Sequence, residues 1–219
     1  MKKELVDEIN RIAAQYIEEI AGNHRYFEDT VMAWKFIPAL PHFDPNVVFI
    51  PIGLREAASK SNDYIRVFLR PSTFINDISI FEYFFNDTLA SWLKFFPGSL
   101  RGKQIPFDTI LDSGARTNLF ETLLQTIIEK NLMDISFKNT QDWFTYLERT
   151  TGIDALEPDL VGQFGEHKEI RNVLVHNKGI AGEPYIFKSG EYARFQKDDE
   201  IEINDLMLLE SKKIGGNID

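Results

Sequence analysis

Between Pro71 and the Pro97-Gly98 pair, the chain places Phe74, Ile78, Phe81, Phe85, Leu89, Trp92 and Phe96 at helical spacing. At about 100° per residue such positions return to one side of an α-helix. The run therefore predicts a helix from Ser72 or Thr73, either of which can cap it, to Phe96, where Pro97-Gly98 stops it. A stripe so dense in aromatic rings is the core of a helical bundle and not a cofactor-binding box.

The segment Lys2 to Ala21 repeats the pattern, with Leu5, Ile9, Ile12, Tyr16 and Ile20 set against Asp7, Glu8, Glu18 and Glu19. Further helical patterns run over Phe107 to Leu111, Thr117 to Lys130 and Thr140 to Arg149, the last with Thr140 as its cap. Pro158 occupies a favoured first helical position, and the helix it opens runs to about Asn177, ended by Gly179. From Pro38 to Pro71 the reading changes: Pro38, Pro41, Pro45 and Pro51 break helix, Val47 to Ile50 reads as a short strand, and Tyr64 to Phe68 as strand or helix. Tyr185-Ile186-Phe187 and Ile201-Glu202-Ile203 read as short extended pieces, and Asn204 as the cap of a final helix through Leu209. There are no internal repeats. The predicted fold class is mainly all-α: an up-and-down bundle of four or five helices over residues 71–210, with minor short strands. Residues 1–70 form an N-terminal helical extension and accessory region, and 211–219 a tail.

Composition bounds the function classes. Hydrophobic residues at 43%, including 18 Phe, suffice for a sizeable core, which excludes disorder for most of the chain. The absence of cysteine excludes disulfides, thiolate catalysis and Cys-ligated zinc. The start, MKKELVDEIN, lacks the apolar stretch of a signal peptide, and no run approaches 18 apolar residues, so the reading is a soluble cytoplasmic protein with no membrane partner. With 24 basic against 34 acidic residues, a net charge of −10 opposes broad electrostatic binding of nucleic acid. An RNA substrate would need a local basic cleft, from Arg171, Lys178, Lys168 and His167 or from the loop Arg101-Gly102-Lys103, the latter more simply scattered surface charge.

The chemistry-bearing stretch is Glu169-Ile170-Arg171-Asn172-Val173-Leu174-Val175-His176-Asn177-Lys178-Gly179. On a helix, Glu169, Asn172 and His176 fall along one line, Arg171 stands one step aside, and Ile170, Val173 and Leu174 with Phe164 supply the buried stripe. His176 in the last turn meets the negative end of the helix, which favours the imidazolium. An arginine and a histidine this close also arise by chance: Arg171 can pair with Glu166 or Glu169, and His176 and Asn177 can satisfy carbonyls at the helix end.

The arginine followed by Asn172, the apolar triplet and the closing His-Asn-x-Gly resemble the R-x(4–6)-H signature of the HEPN superfamily, over roughly Pro71 to Leu209. The resemblance implies RNA cleavage without metal or cofactor: the ribose 2′-hydroxyl attacks phosphorus and expels the 5′-oxygen, leaving a 2′,3′-cyclic phosphate. His176 would serve as base or acid, Arg171 would bind the non-bridging oxygens, and Asn172 would orient phosphate or imidazole. Lys178, Glu169 and His167 would contact the substrate. One histidine cannot readily perform both proton transfers, so the resemblance implies a homodimer with a composite site, and in some branches an antitoxin partner. HEPN toxins held by nucleotidyltransferase antitoxins often carry a tyrosine two residues after the histidine; here that position is Lys178, which puts that regulation in doubt. A second expectation is a non-catalytic HEPN domain that binds a nucleotide or protein, and a third is a purely structural dimerisation module. Other constellations fail: Gly98 to Gln104 is short and mis-ordered for a phosphate loop, and neither H-E-x-x-H nor G-x-S-x-G occurs.

Overall fold

The computed structural model describes residues 2–36, 60–104, 108, 118–154 and 156–214, which are mostly helical. Helix α1, Lys2–Phe36, contains the predicted amphipathic segment and continues fifteen residues past Ala21. A short α2, Ser61–Tyr64, passes through a π-helical turn, Ile65–Leu69, directly into α3, Arg70–Phe95. The 64–68 run, open between strand and helix in the sequence, is thus helical. The prediction that Ser72 or Thr73 caps α3 is corrected: Pro71 sits inside a continuous helix, and the Thr73 hydroxyl donates back to Leu69 O at 2.9 Å. A proline has no N–H for the preceding turn, and here that turn is widened, with Arg70 N–H bonding to Ile65 O.

After a 3₁₀ turn at Pro97–Leu100 come α4, Leu119–Ser136, and α5, Thr140–Thr151. The cap of α5 is Asn139 instead of Thr140, its side-chain oxygen accepting from Asp142 N–H at 2.8 Å. Helix α6, Pro158–His176, begins and ends where the sequence places it. The expected extended piece at 185–187 is instead helical, within α7, Glu183–Ser189, which has a proline in its first turn. A 3₁₀ turn, Gly190–Tyr192, precedes α8, Asp205–Ile214, capped as predicted by Asn204, which accepts from Met207 N–H at 2.9 Å. Among the described residues there is no strand; the expected minor strands reduce to one isolated antiparallel bridge, Ile180 with Glu200. The predicted strand at 47–50, and all of the predicted helix at 107–111 except Asp108, lie outside the described residues.

The chain divides into two compact units, each drawn from separate stretches. The first comprises Met1–Gln15 and Glu82–Glu166. Its centre is aromatic: Phe85 of α3 stacks on Trp143 at 5.2 Å and meets Phe144 edge-on at 5.7 Å, and Phe144 meets Phe164 of α6 edge-on at 6.0 Å. Edge-on and offset ring pairs add to the apolar area buried. The second comprises Tyr16–Phe81 and His167–Asp219, and it holds the whole Arg171-to-Gly179 stretch. Its apolar core includes Ile20, Phe74, Ile78, Ile170, Tyr185, Ile203 and Met207, all 2% exposed or less.

A buried carboxylate organises this second core. Asp77 of α3, 1% exposed, accepts from Asn23 Nδ2 at 2.7 Å and from Ser211 Oγ of α8 at 2.7 Å, and lies 2.8 Å from His24 Nε2 of α1. An ionised carboxylate only accepts, so beside it His24 Nε2 carries the proton. Burial, and next the charge of Asp77, push the Tyr16 phenol above its ordinary pKa of 10.0.

Candidate functional site

The end of α6 is built by its own backbone. Asn177 N–H donates to Val173 O at 2.9 Å, and Gly179 N–H reaches the same carbonyl at 3.2 Å. Between them Lys178 adopts φ 53° and Gly179 φ 77°, so two consecutive left-handed residues turn the chain out of the helix. Glycine suits this position because the left-handed conformation strains any side chain. Asn177 seals the turn through Nδ2, which donates to Ile180 O.

The strand-like return of the chain then clasps this end. Ala181 N–H donates to Asp199 O at 2.8 Å, Asp198 N–H to Ala181 O at 2.8 Å and Ile201 N–H to Gly179 O at 2.7 Å. The motif terminus is thereby held against the segment Asp198 to Ile201, which brings the exposed Asp198, Asp199 and Glu200 beside it.

On this frame the six candidate residues separate into two groups. His176 is the last residue of α6 and exposed; Asn172 lies one turn before it and is half-buried, as is Arg171. Lys178 is exposed just beyond the helix end. These four share the C-terminal end of α6. Glu169 is half-buried and engaged with Lys188 Nζ of α7 at 3.5 Å. His167 departs from the expectation that it lines a groove, being 1% exposed with its ring stacked on Phe74 at 5.4 Å. Its Nε2 lies 3.4 Å from Glu210 Oε2 and 3.5 Å from Arg194 Nη2, while Arg194 holds Glu210 at 2.6 Å. A substrate cannot reach it without opening the core. Lys168, 7% exposed, cannot furnish the expected basic cleft either. The loop Arg101-Gly102-Lys103 is exposed and belongs to the first unit.

Burial also sorts the other histidines. His24 is sealed against Asp77, and His42 lies outside the described residues. Among the described residues His176 is thus the exposed histidine. The Asp77 cluster itself was missed in the sequence, since its members stand 53 and 134 residues apart with no local signature. A cleft of about 530 Å³ lies in the first unit, lined by Lys94, Glu121, Gln125 and Glu129 among others, and contains no motif residue. Among the described residues no group of three or more His, Cys, Asp or Glu is placed to hold a metal ion, and no helix is long and apolar enough to cross a membrane.

No family model, curated protein or solved structure matches this chain. The functional reading therefore rests on the motif and on where the fold puts it.

Proposed function

We propose that the chain is a metal-independent endoribonuclease of the HEPN type, cleaving RNA by 2′-hydroxyl attack to leave 2′,3′-cyclic phosphate ends. The observation that carries the reading is the exposure of His176 at the end of α6, with Asn172 one turn behind it. A general acid or base must exchange its proton with substrate or solvent, and His176 has that access where His24 and His167 do not. Asn172, one turn along the same face, orients the imidazole or a phosphate oxygen. Arg171 spreads its guanidinium toward the non-bridging oxygens as negative charge builds in the transition state. Lys178, at the mouth of the turn, adds a second cation. The ribose supplies the nucleophile, so no cofactor enters. Because two proton transfers need two groups, the active form is a homodimer in which each copy contributes a His176. Its setting is the cytoplasm, where an antitoxin would restrain it or a trigger such as phage infection would release it.

A second reading is favoured by one observation: Asp198, Asp199 and Glu200 are fastened beside the motif end. Carboxylates there repel phosphates, which suits a non-catalytic module that binds a protein partner. One experiment separates the two. Purified wild type and His176→Ala are incubated with total tRNA and mRNA in EDTA, and product ends are mapped. Discrete fragments with cyclic-phosphate ends from wild type alone support the ribonuclease. Intact RNA in the presence of folded dimer, with molar mass measured by light scattering, supports the binding module.

A further inference from the structure

The π turn that precedes α3 carries an unusual surface. Arg66 and Arg70 stand four residues apart, and between them Phe68 is 63% and Val67 49% exposed. The Phe68 ring lies 6.2 Å from Tyr64, whose ring lies 5.2 Å from Trp34 of α1. An aromatic ladder that ends in an open ring flanked by two guanidinium groups is the composition that holds single-stranded nucleic acid: rings stack bases irrespective of sequence, and arginine forks bind phosphates. π-helical turns inside longer helices are themselves frequent at functional sites.

Both arginines are answered by carboxylates. Arg66 lies 3.5 Å from Glu202 and 3.8 Å from Asp63, and Arg70 lies 2.7 Å from Asp205. Glu202 directly follows Ile201, whose N–H donates to Gly179 O at 2.7 Å. The arginine pair is thus within one residue's reach of the chain that clasps the motif end. Glu202 and Asp205 are 56% and 76% exposed in their side chains. Arg66 is likewise 51% exposed and Arg70 half-buried, and pairs with such open carboxylates are weak and screened by salt, so a polyanion can exchange for them.

We propose that the Tyr64–Arg70 turn is the surface on which the substrate RNA strand lies, with Phe68 stacking a base and Arg66 and Arg70 binding backbone phosphates. Glu202 and Asp205 are internal counter-charges that the phosphates displace, so the free protein restrains its own affinity for RNA. This assignment rests on the ribonuclease reading and specifies how that site holds its substrate.

The test is fluorescence anisotropy of a labelled oligouridylate over a range of salt, in the full chain carrying His176→Ala so that the probe is not cut. Phe68→Ala is expected to weaken binding about tenfold, the loss of one stacked base. Arg66→Gln is expected to weaken it and to flatten the slope of log affinity against log salt by about 0.7, one phosphate contact to a single strand. Glu202→Gln and Asp205→Asn are expected to strengthen it severalfold, the opposite sign from what loss of a structural ion pair would give. Phe68, Arg66 and Glu202 are all at least half exposed, so these three variants do not depend on the core for folding. Binding that is unchanged in Phe68→Ala and Arg66→Gln, or weakened in Glu202→Gln, overturns this surface and leaves the ribonuclease intact if wild type still cuts RNA. No binding by any variant together with no cleavage by wild type overturns both. Cleavage with binding too weak to measure transfers the same comparison to kcat/KM in the His176 background, where the predicted order of variants must hold.

Discussion

Replacing Asp77 by alanine tests whether one buried carboxylate holds α1, α3 and α8 together. The side chain is fully buried, and Asn23 Nδ2, His24 Nε2 and Ser211 Oγ all lie within 2.8 Å of its oxygens. Alanine leaves those donors facing a small void. Each buried donor without an acceptor costs about 1–3 kcal/mol, and each hydrogen bond to a charged group contributes about 1.5–3. Asn23 keeps a bond to Thr73 O at 3.0 Å and Ser211 keeps one to Leu208 O at 3.0 Å, which lowers the total. The expected loss of the three bonds is therefore roughly 4 kcal/mol, a shift of about 2 M in the urea midpoint for a slope near 2 kcal/mol/M. Asp77→Asn, which keeps one acceptor oxygen and turns the other into a donor, should lose about half as much, and Ser211→Ala about 1 kcal/mol. Equilibrium unfolding followed by circular dichroism gives the series, and a double-mutant cycle between Asp77 and Ser211 isolates their pair term. An Asp77→Ala cost under about 1 kcal/mol, the effect of an ordinary surface change, would refute the argument that the cluster is a dry junction.

Three further outcomes follow from particular contacts. Asn139→Ala removes the cap of α5 and should cost about 1 kcal/mol in urea unfolding, whereas Thr140→Ala leaves that cap bond in place. Gly179→Ala forces a side chain into a φ of 77° and should cost about 1 kcal/mol, with amide exchange at Gly179 and Ile201 accelerating as the clasp loosens. The Tyr16 phenol, whose pKa is raised by burial and by Asp77, remains protonated in the folded state when an unfolded tyrosine ionises. Stability should consequently hold below pH 10.0 and fall as pH rises beyond it, and Tyr16→Phe should remove that part of the alkaline slope.

Where the sequence misjudged an element, a particular residue disguised it. Helix α1 reads as ending at Ala21 because Gly22 follows and the next position of the stripe is a histidine. An isolated glycine costs a helix only about 1 kcal/mol, and His24 belongs to the buried face because Asp77 waits there. Pro71 reads as lying just before a helix capped by Ser72 or Thr73, since a helix avoids a proline in its interior; the widened turn over Ile65–Leu69 is the local adjustment that lets it stay. Tyr185-Ile186-Phe187 has the composition of a strand, yet Pro184 opens a helical turn there and tertiary burial of Tyr185 outweighs propensity. The helices whose stripe is continuous and whose caps are local, α6 and the start of α8, were legible because every determinant lies within a few residues.

The candidate site divides along the same line. The motif's helix, its termination at Gly179 and the common face of Asn172 and His176 follow from spacing of neighbours, so they could be read directly. The sequence offers His167 and Lys168 to a basic cleft, the usual reading of charged residues being exposure, but Glu166, His167 and Lys168 are each 7% exposed or less. The partners that make burial of His167 tolerable are Phe74, Arg194 and Glu210, which lie far away in the chain. A histidine that must trade protons with a substrate cannot be closed under a phenylalanine ring, and no local pattern distinguishes it from one that can. Sorting His176 from His24 and His167 by burial is accordingly the step that required the fold. The same step separates His167, closed into the core, and Glu169, paired with Lys188 of α7, from Arg171, Asn172, His176 and Lys178 at the C-terminal end of α6.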